Sequence, residues 1–174
     1  MASIIFINNQ GLKPPMNVVL EDLAAFLVRA KKFTYAGNGR DVPPQRPNFR
    51  EMAYHEGDWD YRDSYAGFYR APGQEIVRFQ GKPVWVLAYS GGMLPEYHGQ
   101  FKLAQETFTF LKKALWRVEE SQPFRGPPEF SEGKFKYVNS NEGDITFFFG
   151  QERIRLEDRE IFRQYYHGSG IVSR

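Results

Sequence analysis

Two stretches carry the same pattern: Gly73-Gln74-Glu75-Ile76-Val77-Arg78-Phe79 and Gly150-Gln151-Glu152-Arg153-Ile154-Arg155-Leu156. Laid over each other without a gap, Val77 falls on Ile154, Arg78 on Arg155 and Phe79 on Leu156. Further along, Lys82 meets Arg159, Val84 meets Ile161, Trp85 meets Phe162, Tyr89 meets Tyr166 and Gly91 meets Gly168. Upstream, with one gap, Gly57-Asp58 resembles Gly143-Asp144. Two hairpins of one type can look alike by chance. Identity in register at Gly-Gln-Glu, Arg, Tyr and Gly favours a duplicated unit instead. Units this small bury their apolar faces jointly, so the halves should share one core.

Ahead of each stretch the spacing predicts a helix. Leu20, Leu23, Phe26, Leu27 and Ala30 recur three and four apart and make one apolar stripe. Glu21 and Asp22 open that helix and Lys31 and Lys32 close it, as the macrodipole favours. Phe101, Leu103, Ala104, Phe108, Leu111, Leu115 and Val118 mark a second helix over about 101–118. Strands are expected at 50–56, 59–68, 74–80 and 83–90. They recur near 134–140, 144–149, 152–156 and 160–167, with Gly and Pro as the breakers. A further strand is expected at 3–8. Long loops are expected at 35–47, 91–100 and 121–133, and the first of these is long enough to be functional or mobile. The fold class is therefore α+β: a single domain over 1–174 built from a duplicated α-β-β-β unit, with pseudo-repeats at 20–92 and 101–172. The unit should form a curved antiparallel sheet with two helices on one face.

Strand alternation locates the chemistry, because every second residue faces the same way. Along 59–67 one face carries Trp59, Tyr61, Asp63 and Tyr65. Three amphipathic rings and a carboxylate suit the wall of a wet cleft, where rings stack on a ligand and polar ends orient it. The alternative is a mixed core and rim. Glu75 shares a face with Val77 and Phe79, as Glu152 does with Ile154 and Leu156. A carboxylate on an apolar face is costly unless paired or protonated. Its presence in both stretches predicts a shared role, either structural or in a site. If that role is the same, Glu75→Gln and Glu152→Gln should have similar costs. The strand holding Trp85 is apolar on both faces and should be central.

Composition narrows the function classes. Aromatic residues make up 17% of the chain, far from a disordered composition. A formal charge of +2 with dispersed basic residues gives no general drive toward nucleic acid or anionic membrane. Cysteine is absent, which removes disulfides, thiol catalysis and thiolate metal sites and suits a cytoplasmic location. No apolar run is long enough to span a membrane. His55, His98 and His167 lie far apart, so no metal site is expected. The glycines at Gly91-Gly92 and Gly168 are not followed by a helix with Lys-Ser/Thr, and no GxSxG elbow or dinucleotide fingerprint occurs. No cofactor is expected.

Thr34-Tyr35-Ala36-Gly37, Tyr54-His55-Glu56-Gly57-Asp58-Trp59, Tyr61-Arg62-Asp63-Ser64-Tyr65, Lys82-Pro83-Val84-Trp85 and Pro123-Phe124-Arg125-Gly126-Pro127, with the two Gly-Gln-Glu motifs and His167-Gly168, carry a family resemblance. Over about 20–172 the chain resembles an uncharacterised bacterial and archaeal domain-of-unknown-function family. In many relatives that domain follows an XRE-type helix-turn-helix. The chain departs from the family pattern at Ala88, where relatives often carry Asn, and at Ala66, where they tend to carry glycine. The stretch ahead of residue 20 is too short for a helix-turn-helix, so a regulator role is expected to be lost or indirect. The resemblance implies a sensor or an oligomerisation element.

The expected function is a non-enzymatic module that binds a small molecule. Trp59, Tyr61, Tyr65 and Trp85 would stack on it, and Asp63, Glu75 and Glu152 would accept hydrogen bonds from a polar or cationic ligand. One alternative is an enzyme with Glu75 or Asp63 as general base. Another is an interaction module, a homodimer built on sheet edges with the strand at 3–8 as the candidate edge.

Overall fold

A computed structural model describes residues 18–172. The strand expected at 3–8 lies outside the described residues. Helix α1 (Leu20–Phe33) is followed by β1 (Arg50–Glu56), β2 (Trp59–Tyr65), β3 (Gly73–Phe79) and β4 (Lys82–Met93). After a short turn come α2 (Phe101–Leu115), β5 (Glu129–Glu132), β6 (Phe135–Asp144), β7 (Phe147–Leu156) and β8 (Arg159–Gly170). Each helix thus precedes four strands, as many as the strand positions expected in each half and one more than an α-β-β-β unit holds. In the second half β5 falls in the stretch read as a loop. All eight strands form one antiparallel sheet in the order β1-β2-β3-β4-β8-β7-β6-β5. The halves join through β4 and β8.

Of the two strands expected at 144–149 and 152–156, residues 147–156 form one continuous strand, β7, and 144–146 are the end of β6 and the turn. Gly150 does not break β7 because Gly150 lies opposite Tyr166, and a Cβ there would meet the Tyr166 ring. Gly73 stands in the same relation to Tyr89. The glycine of each Gly-Gln-Glu motif is therefore a clearance for the tyrosine of the next strand.

Further features recur across the junction. Tyr89 pairs directly with Tyr166. The register shifts after Val77 in β3 and after Ile154 in β7. Gln80 and Glu157, at the tips of the following hairpins, both adopt left-handed backbone, φ 50° and 54°. The register carries Tyr61, Val77, Trp85 and Leu87 to the same face as Phe148, Ile154, Phe162 and Tyr166.

Both helices pack on that face. Phe26 of α1 stacks on Trp59 at 5.2 Å, and its neighbours Leu23, Leu27 and Ala30 complete a core with Val77, Trp85 and Phe148. Phe110 of α2 stacks on Phe135 at 5.2 Å and heads a second core with Tyr137, Ile154 and Phe162. This burial of large apolar side chains is the main stabilising contribution. Among the described residues no helix is long and apolar enough to cross a membrane.

Candidate functional site

Between the two cores the inward face turns polar. Antiparallel pairing sets Asp63 of β2 directly opposite Glu75 of β3. Both are buried, at 5% and 2% exposure. Lys31, in the last turn of α1, bonds to Glu75 and donates to the Phe124 carbonyl at 2.9 Å. Its position four residues after Leu27 continues the apolar stripe, so Lys31 faces inward rather than serving only the helix dipole. Arg125 comes from the link between α2 and β5. It lies 3.5 Å from Glu75 and 2.7 Å from Glu152, so one guanidinium ties the halves together. Tyr89 donates to Asp63 Oδ1 at 2.7 Å.

The second half repeats the pairing with an amide in place of the carboxylate, and sets Gln164 opposite Glu152 where Leu87 lies opposite Glu75. Asn139 of β6 lies opposite Glu152 of β7 and accepts a hydrogen bond from Tyr166 at 2.8 Å. Its amide donates to the Gly126 carbonyl at 2.9 Å. Tyr137 and Gln164 both donate to the Glu152 carboxylate, at 2.7 Å and 3.0 Å. The first half thus has a carboxylate where the second has an amide.

Burial and the facing charge of Glu75 push the Asp63 carboxyl up to about 7, against the pull of Tyr89, Arg125 and Lys31. Burial lowers the Lys31 ammonium from its ordinary value, and Glu75 opposes that shift. Burial drives Tyr61 and Tyr89 well above the ordinary phenol value, so both keep their protons. Burial opposes the charge on Arg125, but Glu152 and Glu75 outweigh it and hold the guanidinium charged.

A cavity of about 590 Å³ opens over this cluster. Tyr61, Asp63, Tyr65, Glu75 and Tyr89 line its floor and wall, with Lys31 and Arg125. Tyr35 and the α2 residues Phe108 and Lys112 line it from the helix side. Of the seven residues singled out in the sequence, the cavity gathers Tyr61, Asp63, Tyr65 and Glu75. The other three lie outside its lining. Trp59 packs against Phe26 and Phe79. Trp85 is wholly buried, stacks on Phe148 at 5.6 Å and donates to the Ile145 carbonyl. Glu152 is wholly buried among Arg125, Tyr137 and Gln164.

Sequence reasoning missed Lys31, Arg125, Tyr35 and Lys112 as cavity residues. The lysine on the apolar stripe was a readable signal. Arg125 gave none beyond its place between Pro123 and Pro127. Among the described residues, no group of three or more His, Cys, Asp or Glu side chains is placed to hold a metal ion.

No curated protein and no solved structure matches this chain. A family model matches residues 63–172, more than half of the chain, from Asp63 on the cavity floor to just past the end of β8. The chain therefore belongs to the family described as Domain of unknown function (DUF5680).

Proposed function

We propose that this chain is a small-molecule-binding module of sensor type, whose ligand enters the cavity and presents a polar, cationic group to Asp63. The observation that carries the reading is the state of Asp63 itself. It lines the cavity, is buried, and among the described residues has no cationic partner within ion-pair distance. The inward cluster holds three carboxylates, Asp63, Glu75 and Glu152, against two cations, Lys31 and Arg125. With Asp63 protonated the cluster is neutral. With Asp63 ionised it carries one excess negative charge in a poorly solvated place, which a ligand cation would balance. The rings of Tyr61, Tyr65 and Tyr89 supply faces to such a cation.

Trp116 also lines the cavity and is half exposed, so its fluorescence is a natural reporter. Titration with a panel of aromatic amines should quench it and raise the melting temperature. Asp63→Asn should abolish both responses. A panel that changes neither signal in the wild-type protein would overturn the reading.

One observation favours a second reading, an enzyme. A buried carboxyl held near 7 beside a cavity is suited to general acid–base work. Asp63 is the group concerned, since Glu75 is occupied by Lys31 and Arg125. A bound amine recovered chemically altered, with the alteration lost in Asp63→Asn, would support it; unaltered recovery would remove it.

We also infer that the two helix-plus-four-strand halves arose by duplication. Supporting this are the Tyr89–Tyr166 pairing, the matching register shifts, the matching left-handed hairpin tips and the paired Tyr89–Asp63 and Tyr166–Asn139 bonds.

A further inference from the structure

Resting on that reading, we propose that the ligand is a zwitterion: its ammonium seats at Asp63 and its carboxylate reaches Lys112 on α2. The cavity is electrically polarised. Most charged groups in its lining are already neutralised by protein partners. Lys31 and Arg125 serve Glu75 and Glu152. Arg50 is paired with Asp41 at 2.9 Å, and Lys113 with Glu132. Three lining groups have no opposite charge within ion-pair distance among the described residues: Asp63 on the sheet, Arg117 and Lys112. Arg117 is taken up by the Lys113 carbonyl, to which it donates, and by the Phe130 ring, over which it lies at 3.9 Å. The Lys112 ammonium donates to the neutral Asn38 side chain at 2.8 Å and is the cation that faces the tyrosines.

Asp63 and Lys112 sit at opposite ends of a run of rings. Lys112 lies 5.0 Å from the centre of the Tyr35 ring. Tyr35 meets Tyr65 edge to face at 6.3 Å, and Tyr65 is two residues from Asp63 on the same strand face. Burial and the charge of Arg50 lower the Lys112 ammonium from its ordinary value, against the opposing charge of Asp41. Phe68 and Phe108 also line the cavity, edge to face at 5.5 Å, and offer an apolar flank to whatever joins the two charged ends. A hydrocarbon spacer suits that flank; a polar one would be desolvated without partners.

Calorimetric titration at pH 8 with ω-aminoalkanoates from 4-aminobutanoate to 8-aminooctanoate tests this. The alkylamines and alkanoates of the same lengths are the controls. At the best length the aminoalkanoate should bind at least about tenfold tighter than its amine, as an added charge-assisted hydrogen bond implies. In Lys112→Met the aminoalkanoate should fall to the affinity of its amine. In Asp63→Asn both should be lost. An amine as tight as the aminoalkanoate at every length, or an advantage that survives Lys112→Met, overturns the zwitterion while leaving a cationic ligand standing. No binding by any amine or aminoalkanoate overturns both.

Discussion

The two halves of the sheet solve the same packing problem differently. On each side of the Tyr89–Tyr166 pair, a tyrosine reaches a short polar side chain on the second strand of its half, beside a buried glutamate on the third. In the second half the short side chain is Asn139, neutral and bonded at both ends, and Glu152 is surrounded by Arg125, Tyr137 and Gln164. Asn139, Tyr137, Gln164 and Arg125 thus all have partners around that carboxylate. In the first half the corresponding side chain is Asp63, which receives one hydrogen bond and faces a cavity. A neutral amide with both ends bonded can be buried at little cost, whereas a carboxylate needs a counter-charge. An amide for a carboxylate, with Gln164 opposite Glu152 where Leu87 lies opposite Glu75, therefore separates an enclosed cluster from a candidate binding site.

The largest expected effect breaks the link between the halves. Arg125→Met leaves Glu152 without its cation and Glu75 with Lys31 alone. It should cost about 3–5 kcal/mol, as loss of one partner from a buried ion pair does. Urea unfolding measures it, and a cost under about 1 kcal/mol would mean Arg125 does not hold the halves together. Next is Asn139→Asp, which sets a second carboxylate beside Glu152 and removes the bond to the Gly126 carbonyl. A loss of about 2–4 kcal/mol is expected at pH 8, smaller at pH 5, where the new acid can stay protonated. Unfolding curves at the two pH values that coincide would show that the amide is not what distinguishes the second half.

Glu152→Gln should cost about 1–3 kcal/mol, since four bonds from three side chains end on that carboxylate. Glu75→Gln should cost less. Its main partner Lys31 is already lowered by burial, can shed its proton, and keeps the Phe124 carbonyl. Equal costs in parallel unfolding curves would restore the shared role that the repeated motif implies.

Asp63→Asn is expected to stabilise the unliganded protein. The native carboxyl titrates near 7 and the unfolded one near its ordinary 3.8. Between those values the unfolded chain binds fewer protons, so wild-type stability falls as pH rises from about 4 to 7 and then levels. The variant lacks that slope. It should match the wild type near pH 4 and exceed it by roughly 1–3 kcal/mol at pH 8. A variant less stable than wild type at pH 8 would mean that ionised Asp63 has a partner of its own.

Much of this was legible in the chain. The alternation Trp59-x-Tyr61-x-Asp63-x-Tyr65 put the carboxylate and two tyrosines on one face, and they do line one cavity. The same alternation placed Trp59 with them, but α1 covers that end of the strand and Phe26 takes the ring. Trp85 faces the same way, yet its strand is central, so the ring is enclosed by the core. Period-two logic identifies a face; what lies over each part of the face depends on where the helices cross it.

Short-range pattern was enough for the local units: two amphipathic helices, hairpins broken at glycines, and a glutamate on the apolar side of each Gly-Gln-Glu strand. Those follow from periodicity and turn chemistry, which act over a few residues. The assembled fold alone shows that β4 pairs with β8, that Lys31 and Arg125 converge from separate segments on the buried acids, and that Asp63 faces the cavity while Glu152 is enclosed. Charge compensation in a poorly solvated interior depends on which groups meet across the fold, and no short-range pattern encodes that meeting.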